Sequence, residues 1–431
     1  MAQAETIRED GTAARSPVHP GTLSRLREIV RRCGTPTYAY DIGRVRTQVA
    51  RLREALPPAV EILYSLKANA SLGLCGVLAG CGLGADVASA GELLIALAAG
   101  FAPSRIFLTG PDRSSAVLAE LRSRPEVVLS LDSASELSLL ADKGPTHRAL
   151  LRLRPDFCSH ATCTTGPDSR FGLTLADLPR CRDYLTSPGI KVVGFHVFSG
   201  SQVLSVEGIL EHLRNGLDLA LRAAGILGLR PEIIDIGGGF GIPYGPDDRE
   251  LDLAVIGAAL HALVARAAPA RLVIELGRYF VAQAGWYLTT VIAEQTHRGR
   301  KAVVVDGGVH QRGDLCGVGL RQRGVPPVVL EGGELPRTPT DILGCLSLPS
   351  DVLAESSPLP PLSPGDVLAF PNAGAYGLTA SPTLFHCHPA PAEVAFTGSV
   401  MELIRARQPI RSLLEGQGRL RGVEISAANS K

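Results

Sequence analysis

Lys67 stands alone in EILYSLKANA (61–70), with only Ser65, Ala68, Asn69 and Ala70 beside it after an apolar run. A lysine that serves solubility usually shares a helix face with other charges. One at the mouth of an apolar run, among small neutral side chains, suits chemistry that needs a partly desolvated amine. Further along, DIGGGFG (235–241) closes another apolar run. Gly237, Gly238 and Gly239 remove every Cβ from that turn, so backbone N–H groups can approach a phosphate closely. No GK[ST] follows and the spacing is not GxGxxG, which excludes the two common nucleotide fingerprints. Glycine-rich turns by themselves read as tight turns; Ser201 and Arg278 shift this one toward a phosphate cup.

The other polar candidates also sit where short apolar runs end: Asp86 in GADVAS, Arg152 in LLRLRP, His196 with Ser201 in GFHVFSGSQ, and Glu275 and Arg278 in VIELGR. A single such residue reads as a salt-bridge partner; six converging on one rim call for a site. Lysine forms Schiff bases when burial leaves a usable neutral amine. Beside a phosphate cup, the fitting partner is a phosphorylated aldehyde, and Glu275 would keep a pyridine nitrogen protonated so that the ring acts as an electron sink. That is the chemistry of pyridoxal 5′-phosphate.

Short apolar runs alternating with helical stretches must position these groups. VEILYS (60–65), RIFLTG (105–110), VVLSLD (127–132), ALLRLRP (149–155), IKVVGFHVF (190–198), EIIDIGG (232–238) and RLVIELG (271–277) read as strands. Stretches 89–100, 134–142 and 205–224 read as helices between them. At least seven such units of similar length suggest a parallel barrel, whose functional groups gather at the C-terminal strand ends. After Gly285 the texture changes to a long-stranded hairpin (GWYLTTVIAEQTHRGRKAVVVDGG) and Pro/Gly-rich short β runs, the pattern of a smaller β domain.

Composition sets the limits. The 431 residues carry 43 basic and 42 acidic side chains, a net charge of +1, so no global field draws nucleic acid or anionic membrane. With 45% hydrophobic and 20% charged residues the profile is globular. The longest apolar stretch, 253–264, is too short for the ~20 residues of a membrane span and reads as a buried helix. The polar N-terminus lacks an apolar signal core and reads as a disordered arm. Nine scattered cysteines without CxxC spacing argue against disulfides and zinc knuckles, and favour a reducing, cytoplasmic setting. The His386-Cys387-His388 run, with Pro389 and Pro391 behind it, reads as a structural loop, and no metal is expected.

Nine segments, in this order, resemble the fold type III decarboxylases that use pyridoxal 5′-phosphate, such as the diaminopimelate, ornithine and arginine decarboxylases. They are YSLKAN (64–69), GADVASAGEL (84–93), TTGPDSRFGL (164–173), GFHVFSGSQ (194–202), DIGGGFG, ELGRYFVAQAG (275–285), VVVDGG (303–308), SDVLA (350–354) and NAGAYGLTASPTLF (372–385). The resemblance implies an alanine-racemase-like (β/α)8 TIM barrel plus a C-terminal β domain, in a homodimer with shared active sites. It divides the chain into a disordered arm (1–22), a cofactor-binding barrel (42–285) and a β domain (23–41 and 286–425). It assigns Lys67 to covalent attachment of the cofactor and Glu275 to the pyridine nitrogen. Ser201, Gly237, Gly238, Gly239, Gly277, Arg278 and Tyr376 would hold the phosphate, with Asp86 orienting Lys67 and Arg152 near the ring hydroxyl. Arg312, Asp351 and Tyr376 would meet the substrate, Asp351 by reaching into the partner subunit's site.

Two departures from that family pattern matter. The ring-stacking histidine slot holds Phe198, while His196 lies two residues earlier; a phenyl ring can still stack. The cysteine that returns a proton in relatives is Ser347 in GCLSLPSD (344–351), with Cys345 two residues away. A serine hydroxyl is a poor acid, so Cys345, Lys67, water or Tyr376 stand as further donors. Where diaminopimelate enzymes place a glutamate after that cysteine, this chain has Leu348, which argues against diaminopimelate. Segment 306–319 is closer to a branch acting on carrier-protein-tethered or siderophore-type amino acids. The expected activity is thus loss of CO2 from an amino acid or amino-acid-derived substrate, free or presented on a carrier protein. The alternatives are a racemase or epimerase of the same fold, or a decarboxylase whose carbanion has a non-standard fate.

Overall fold

A computed structural model describes residues 19–141, 145–157, 166–245, 247–315, 326–331 and 336–418. A first strand, β1 (Thr37–Asp41), precedes eight that alternate with helices. These are β2 (Glu61–Ser65), β3 (Gly84–Val87), β4 (Ile106–Leu108), β5 (Val128–Leu131), β6 (His147–Leu153), β7 (Ile190–Val197), β8 (Ile233–Gly238) and β9 (Arg271–Leu276). Neighbours pair in parallel from β2 round to β9, and β9 pairs back onto β2, so the sheet closes. The barrel read from the alternating pattern is present.

Helices cover its outside, and their ends follow local chemistry. In Val206–Leu227 the Ser205 side chain accepts from Gly208 N–H at the start, and left-handed Gly228 (φ 64°) stops the last turn. The apolar stretch at 253–264 is part of the buried-faced helix Leu253–Ala267. Helix Pro20–Cys33 begins with proline in its first turn and takes in residues 20–22, which composition had placed in the arm.

Inside the barrel, Leu63, Phe107, Val128, Leu150, Val193, Ile233 and Val273 form a cluster of their own, separate from the outer core. Seven strands each give one residue. The eighth, β3, gives Gly84, where a Cβ would lie 2.4 Å from Leu63 Cδ2. This apolar rung plugs the barrel. Phe107→Ala should cost about 3–5 kcal/mol, because the walls are strand backbone and cannot collapse into the void. The denaturation midpoint would show it as a large downward shift.

The second sheet contains β10 (Gly285–His297), β11 (Arg300–Val305), β12 (Thr338–Leu343), β13 (Val352–Leu359), β14 (Val367–Phe370), β15 (Ala392–Thr397) and β16 (Val400–Arg405). Its order is β13-β12-β11-β10-β1-β15-β16, with β14 against β10. The N-terminal strand β1 is therefore central, antiparallel to β10 and parallel to β15. The predicted hairpin is β10–β11, turning at Arg298 and Gly299, both with positive φ. Among the described residues no helix is long and apolar enough to cross a membrane.

Candidate active site

Strand side chains alternate faces, so the residue two beyond an inward apolar group also points inward. Two beyond the apolar rung stand Ser65, Asp86, Thr109, Ser130, Arg152, Asp235 and Glu275. On β7 the count is three, to His196, because the β6–β7 register shifts at Gly194, whose Cβ would meet Ile233 O at 1.7 Å. The barrel therefore carries one apolar rung and, one step toward the C-terminal mouth, a rung that is polar on every strand.

That polar rung is bonded internally. Thr109 donates from Oγ1 to Asp86 Oδ1. Ser130 Oγ lies 2.8 Å from His196 Nδ1, and Asp235 Oδ1 accepts from Gly237 N–H at 2.9 Å. Arg152 stands 3.6 Å from Asp132 Oδ1, its guanidinium 4.7 Å from the centre of the Phe171 ring. His196 Nε2 lies 3.7 Å from Glu275 Oε1, and neither atom has a hydrogen-bond partner among the described residues although both are buried. Glu275 and Asp235 are a close carboxyl pair. Burial would raise both, but His196, Lys67 and Arg152 outweigh it at Glu275 and hold its carboxyl low. Asp235 goes the other way, raised by burial and by the Glu275 charge. The surroundings thus favour charge on Glu275 and oppose it on Asp235.

Above this rung lies a cavity of about 270 Å³ lined by Lys67, Phe198, Ser201, Glu275, Arg278 and Tyr376 among others. Lys67 sits in the turn Leu66–Ala68 that leaves β2, its Nζ 3.4 Å from Asp86 Oδ2 and 5.1 Å from the centre of the Phe198 ring. Burial pulls the amine down, but the carboxylates of Asp86 and Glu275 prevail and raise it. Tyr376 is held at φ 55° with its N–H donating to Ala68 O at 2.7 Å, which ties it to the residue after Lys67. Left-handed backbone at a tyrosine is strained and persists only where the surroundings impose it.

The far end of the cavity has the form of an anion cup. Gly237 and Gly239 take φ values of 68° and 80°, and a Cβ on Gly239 would stand 2.5 Å from Gly200 O. Arg278, 4% exposed, lies over Tyr376 and donates from Nη1 to Tyr244 Oη at 3.0 Å, while its buried Nε has no partner among the described residues. A buried unpartnered guanidinium nitrogen beside a Cβ-free turn fits a phosphate. A buried ionised carboxylate with an unpartnered oxygen fits a protonated ring nitrogen, and a lysine lies between. The residues present therefore fit pyridoxal 5′-phosphate.

Most of the residues expected from the sequence meet here: Lys67, Asp86, Arg152, His196, Phe198, Ser201, Gly237 to Gly239, Glu275, Gly277, Arg278 and Tyr376. Four others lie on the second sheet and do not line this cavity. Ser347 is exposed, and Cys345 is half-buried with Sγ 4.0 Å from His388 Nε2. Arg312 is 3% exposed and paired with Asp314 through two bonds of 2.9 and 2.7 Å. Asp351 is turned inward, accepting from Val309 N–H at 2.7 Å and Leu346 N–H at 2.8 Å. Both of its oxygens are thus occupied by its own fold. Sequence reasoning missed Ser65, Thr109, Ser130, Asp235 and Tyr244; the period-two rule applied to each strand finds the first four.

Three comparisons bear on this geometry. The family model described as the pyridoxal-binding domain of pyridoxal-dependent decarboxylases matches residues 42–282. The L-glutamyl-[BtrI acyl-carrier protein] decarboxylase of Niallia circulans is 32% identical over 401 residues, covering 89% of this chain and 94% of that one. The diaminopimelate decarboxylase of Deinococcus radiodurans is 32% identical over 394 residues, covering 90% and 97%. Among solved structures, diaminopimelate decarboxylase from M. jannaschii superposes with a TM-score of 0.84 at 25% identity over 91% of this chain and 94% of that one.

Proposed function

Because this chain belongs to the pyridoxal-dependent decarboxylases, we propose that the α-amino acid from which it removes CO2 is tethered through its far end to a carrier protein. That it uses pyridoxal 5′-phosphate and acts as a carboxy-lyase follows from the family; the racemase reading is not favoured. The observation that carries the narrower reading is Leu348. It is apolar and exposed where the family resemblance puts the glutamate that binds the free amino-acid end of diaminopimelate. A substrate whose far end is a thioester presents no charge for that glutamate to meet, and the glutamyl-carrier relative acts on such a substrate.

Within the cavity, bound pyridoxal phosphate supplies the sink for the electron pair that CO2 leaves behind. The glycine turn, Ser201 and Arg278 would hold its phosphate, and Phe198 would pack against its ring. Glu275, whose carboxyl is held low beside the raised Asp235, would keep the ring nitrogen protonated. Asp86 holds the Lys67 ammonium near the reacting carbon, and Lys67 carries the cofactor and returns the proton to Cα. Lys67 is preferred to Ser347 because its amine already lines the cavity of its own chain, whereas a serine hydroxyl, even at the border of a partner's cavity, is a poor acid. Orientation selects the bond that breaks: the residue contacts must hold Cα–COO⁻ perpendicular to the ring.

We also assign a homodimer in the cytoplasm. Exposed Leu384, Phe385, Ile410 and Leu414 offer apolar surface that a second copy could cover, and the free cysteines fit a reducing setting. In that assembly Leu348 and its exposed neighbours Ser347 and Pro349 would border the partner's cavity. Release of labelled CO2 from L-glutamyl-carrier thioester, compared with free diaminopimelate, ornithine, arginine and glutamate, tests the substrate. The thioester should be preferred by at least about 100-fold in kcat/KM, near the discrimination a single lost polar contact begins to give. Equal or better turnover of diaminopimelate overturns the proposal.

A further inference from the structure

We propose that His310, Cys345 and His388 form a zinc site with one coordination position left open, in the second sheet and outside the cofactor cavity. Their ligand atoms, one from each residue, all lie within 4.8 Å of one another. Cys345 Sγ is 4.0 Å from His388 Nε2, and the His310 and His388 rings are 4.9 Å apart, tilted by 43°. His310 carries the inference. It is 1% exposed, yet neither ring nitrogen has a hydrogen-bond partner among the described residues. A desolvated imidazole with both nitrogens idle is costly. A thiol–imidazole pair would need only Cys345 and His388 and would leave His310 unexplained; an ion shared by all three explains it.

The ligands come from three separate segments that the backbone already ties together. His310 lies in the turn Val309–Gln311 after β11, Cys345 follows β12, and His388 follows the turn Phe385–Cys387. Cys345 N–H donates to Gly307 O at 2.9 Å, and Gln311 Nε2 donates to Pro389 O at 3.2 Å. Asp351 links the first two segments by accepting from Val309 and Leu346. The triad is therefore held without an ion. With Zn–S near 2.3 Å and Zn–N near 2.0–2.1 Å, binding would contract it by roughly an ångström. One thiolate and two imidazoles select zinc or a similar transition ion over magnesium or calcium, which require oxygen ligands. Three protein ligands leave the fourth position to water or a substrate group. The His386-Cys387-His388 run, expected from sequence to be a plain loop, thus supplies one ligand, and its partners are distant in sequence.

The test uses the full-length, cofactor-loaded protein after chelator treatment, titrated with ZnCl2 by calorimetry and with CoCl2 by absorption. One ion per chain is expected, and cobalt should give a thiolate charge-transfer band with the ligand-field bands of a tetrahedral ion. Cys345→Ser and His388→Ala should each weaken zinc by more than about 100-fold, since losing even an outer-shell partner costs up to that much. Cys345→Ser should also erase the charge-transfer band, whereas Cys387→Ser, at the exposed neighbour, should keep both signals. Lys67→Ala should titrate like the parent, which separates this site from the cofactor. Absence of one-to-one binding in the parent, a cobalt spectrum without thiolate character, or unchanged affinity in Cys345→Ser overturns the proposal.

Discussion

Lys67→Ala should abolish decarboxylation, lowering kcat by at least about 1,000-fold, within the range lost with a positioned acid–base group. The protein should still bind pyridoxal phosphate through the glycine turn and Arg278. Borohydride treatment followed by peptide mass analysis should then find no pyridoxyl label, where the parent carries it at residue 67. Lys67→Arg should not rescue, because a guanidinium keeps its proton and cannot attack a carbonyl. The electrostatics add a pH signature. Burial lowers the Lys67 amine but Asp86 and Glu275 outweigh it, so the folded-state value is raised and the group stays an ammonium through neutral pH. Only the deprotonated fraction is nucleophilic, and below a raised pKa that fraction grows about tenfold per pH unit. The rate at which cofactor-free protein takes up pyridoxal phosphate should therefore climb steadily from pH 6 to pH 9 without a plateau. A plateau within that window, or label retained in Lys67→Ala, would contradict the assignment.

Why some of this was legible in the sequence and some was not has a physical basis. A buried strand announces itself as a short apolar run, so the barrel strands and the polar residues that end them could be read directly: Asp86, Arg152, His196 and Glu275. The rest of the polar rung was hidden because Ser65, Thr109, Ser130 and Asp235 look ordinary; only their position two beyond an inward apolar residue marks them. Tyr244 was invisible for another reason. It lies in an irregular segment where no periodicity points its hydroxyl at Arg278. The second sheet was legible as a hairpin and several short β runs, and the family resemblance gave residues 23–41 to it, but its strand order depends on pairings distant in sequence.

The same contrast separates the two groups of candidate residues. Those of the polar rung are fixed by strand alternation, which is local, and Lys67, Phe198, Ser201 and Arg278 follow within a few residues of a strand end. Asp351, Arg312, Ser347 and Cys345 were singled out through family motifs, and a motif gives identity without direction. Asp351 shows the consequence: its carboxylate, expected at a partner's substrate, holds the segments of His310 and Cys345 in register. It acts in this chain as a positioning residue.

Glu275→Gln keeps the shape of the polar rung and removes its central charge, and should lower kcat by about 100- to 1,000-fold, the range lost with one preorganised electrostatic contact at a reacting centre. KM and cofactor content should change little, since phosphate and ring contacts lie elsewhere. The Asp235 acid makes the prediction sharper. Burial and the Glu275 charge both raise it; once that charge is gone, part of the pressure against its ionisation is relieved. Asp235 then becomes the nearest carboxyl able to charge beside the ring nitrogen, and should supply residual activity in Glu275→Gln that rises with pH. Adding Asp235→Asn should remove that residue of activity, although Asp235→Asn in the parent should cost much less. The two losses will not add, as expected for groups sharing one proton. Steady-state kinetics of the four proteins across pH settle it: a parent-like kcat in Glu275→Gln, or strict additivity in the double variant, would show that charge beside the ring nitrogen is not what this barrel contributes.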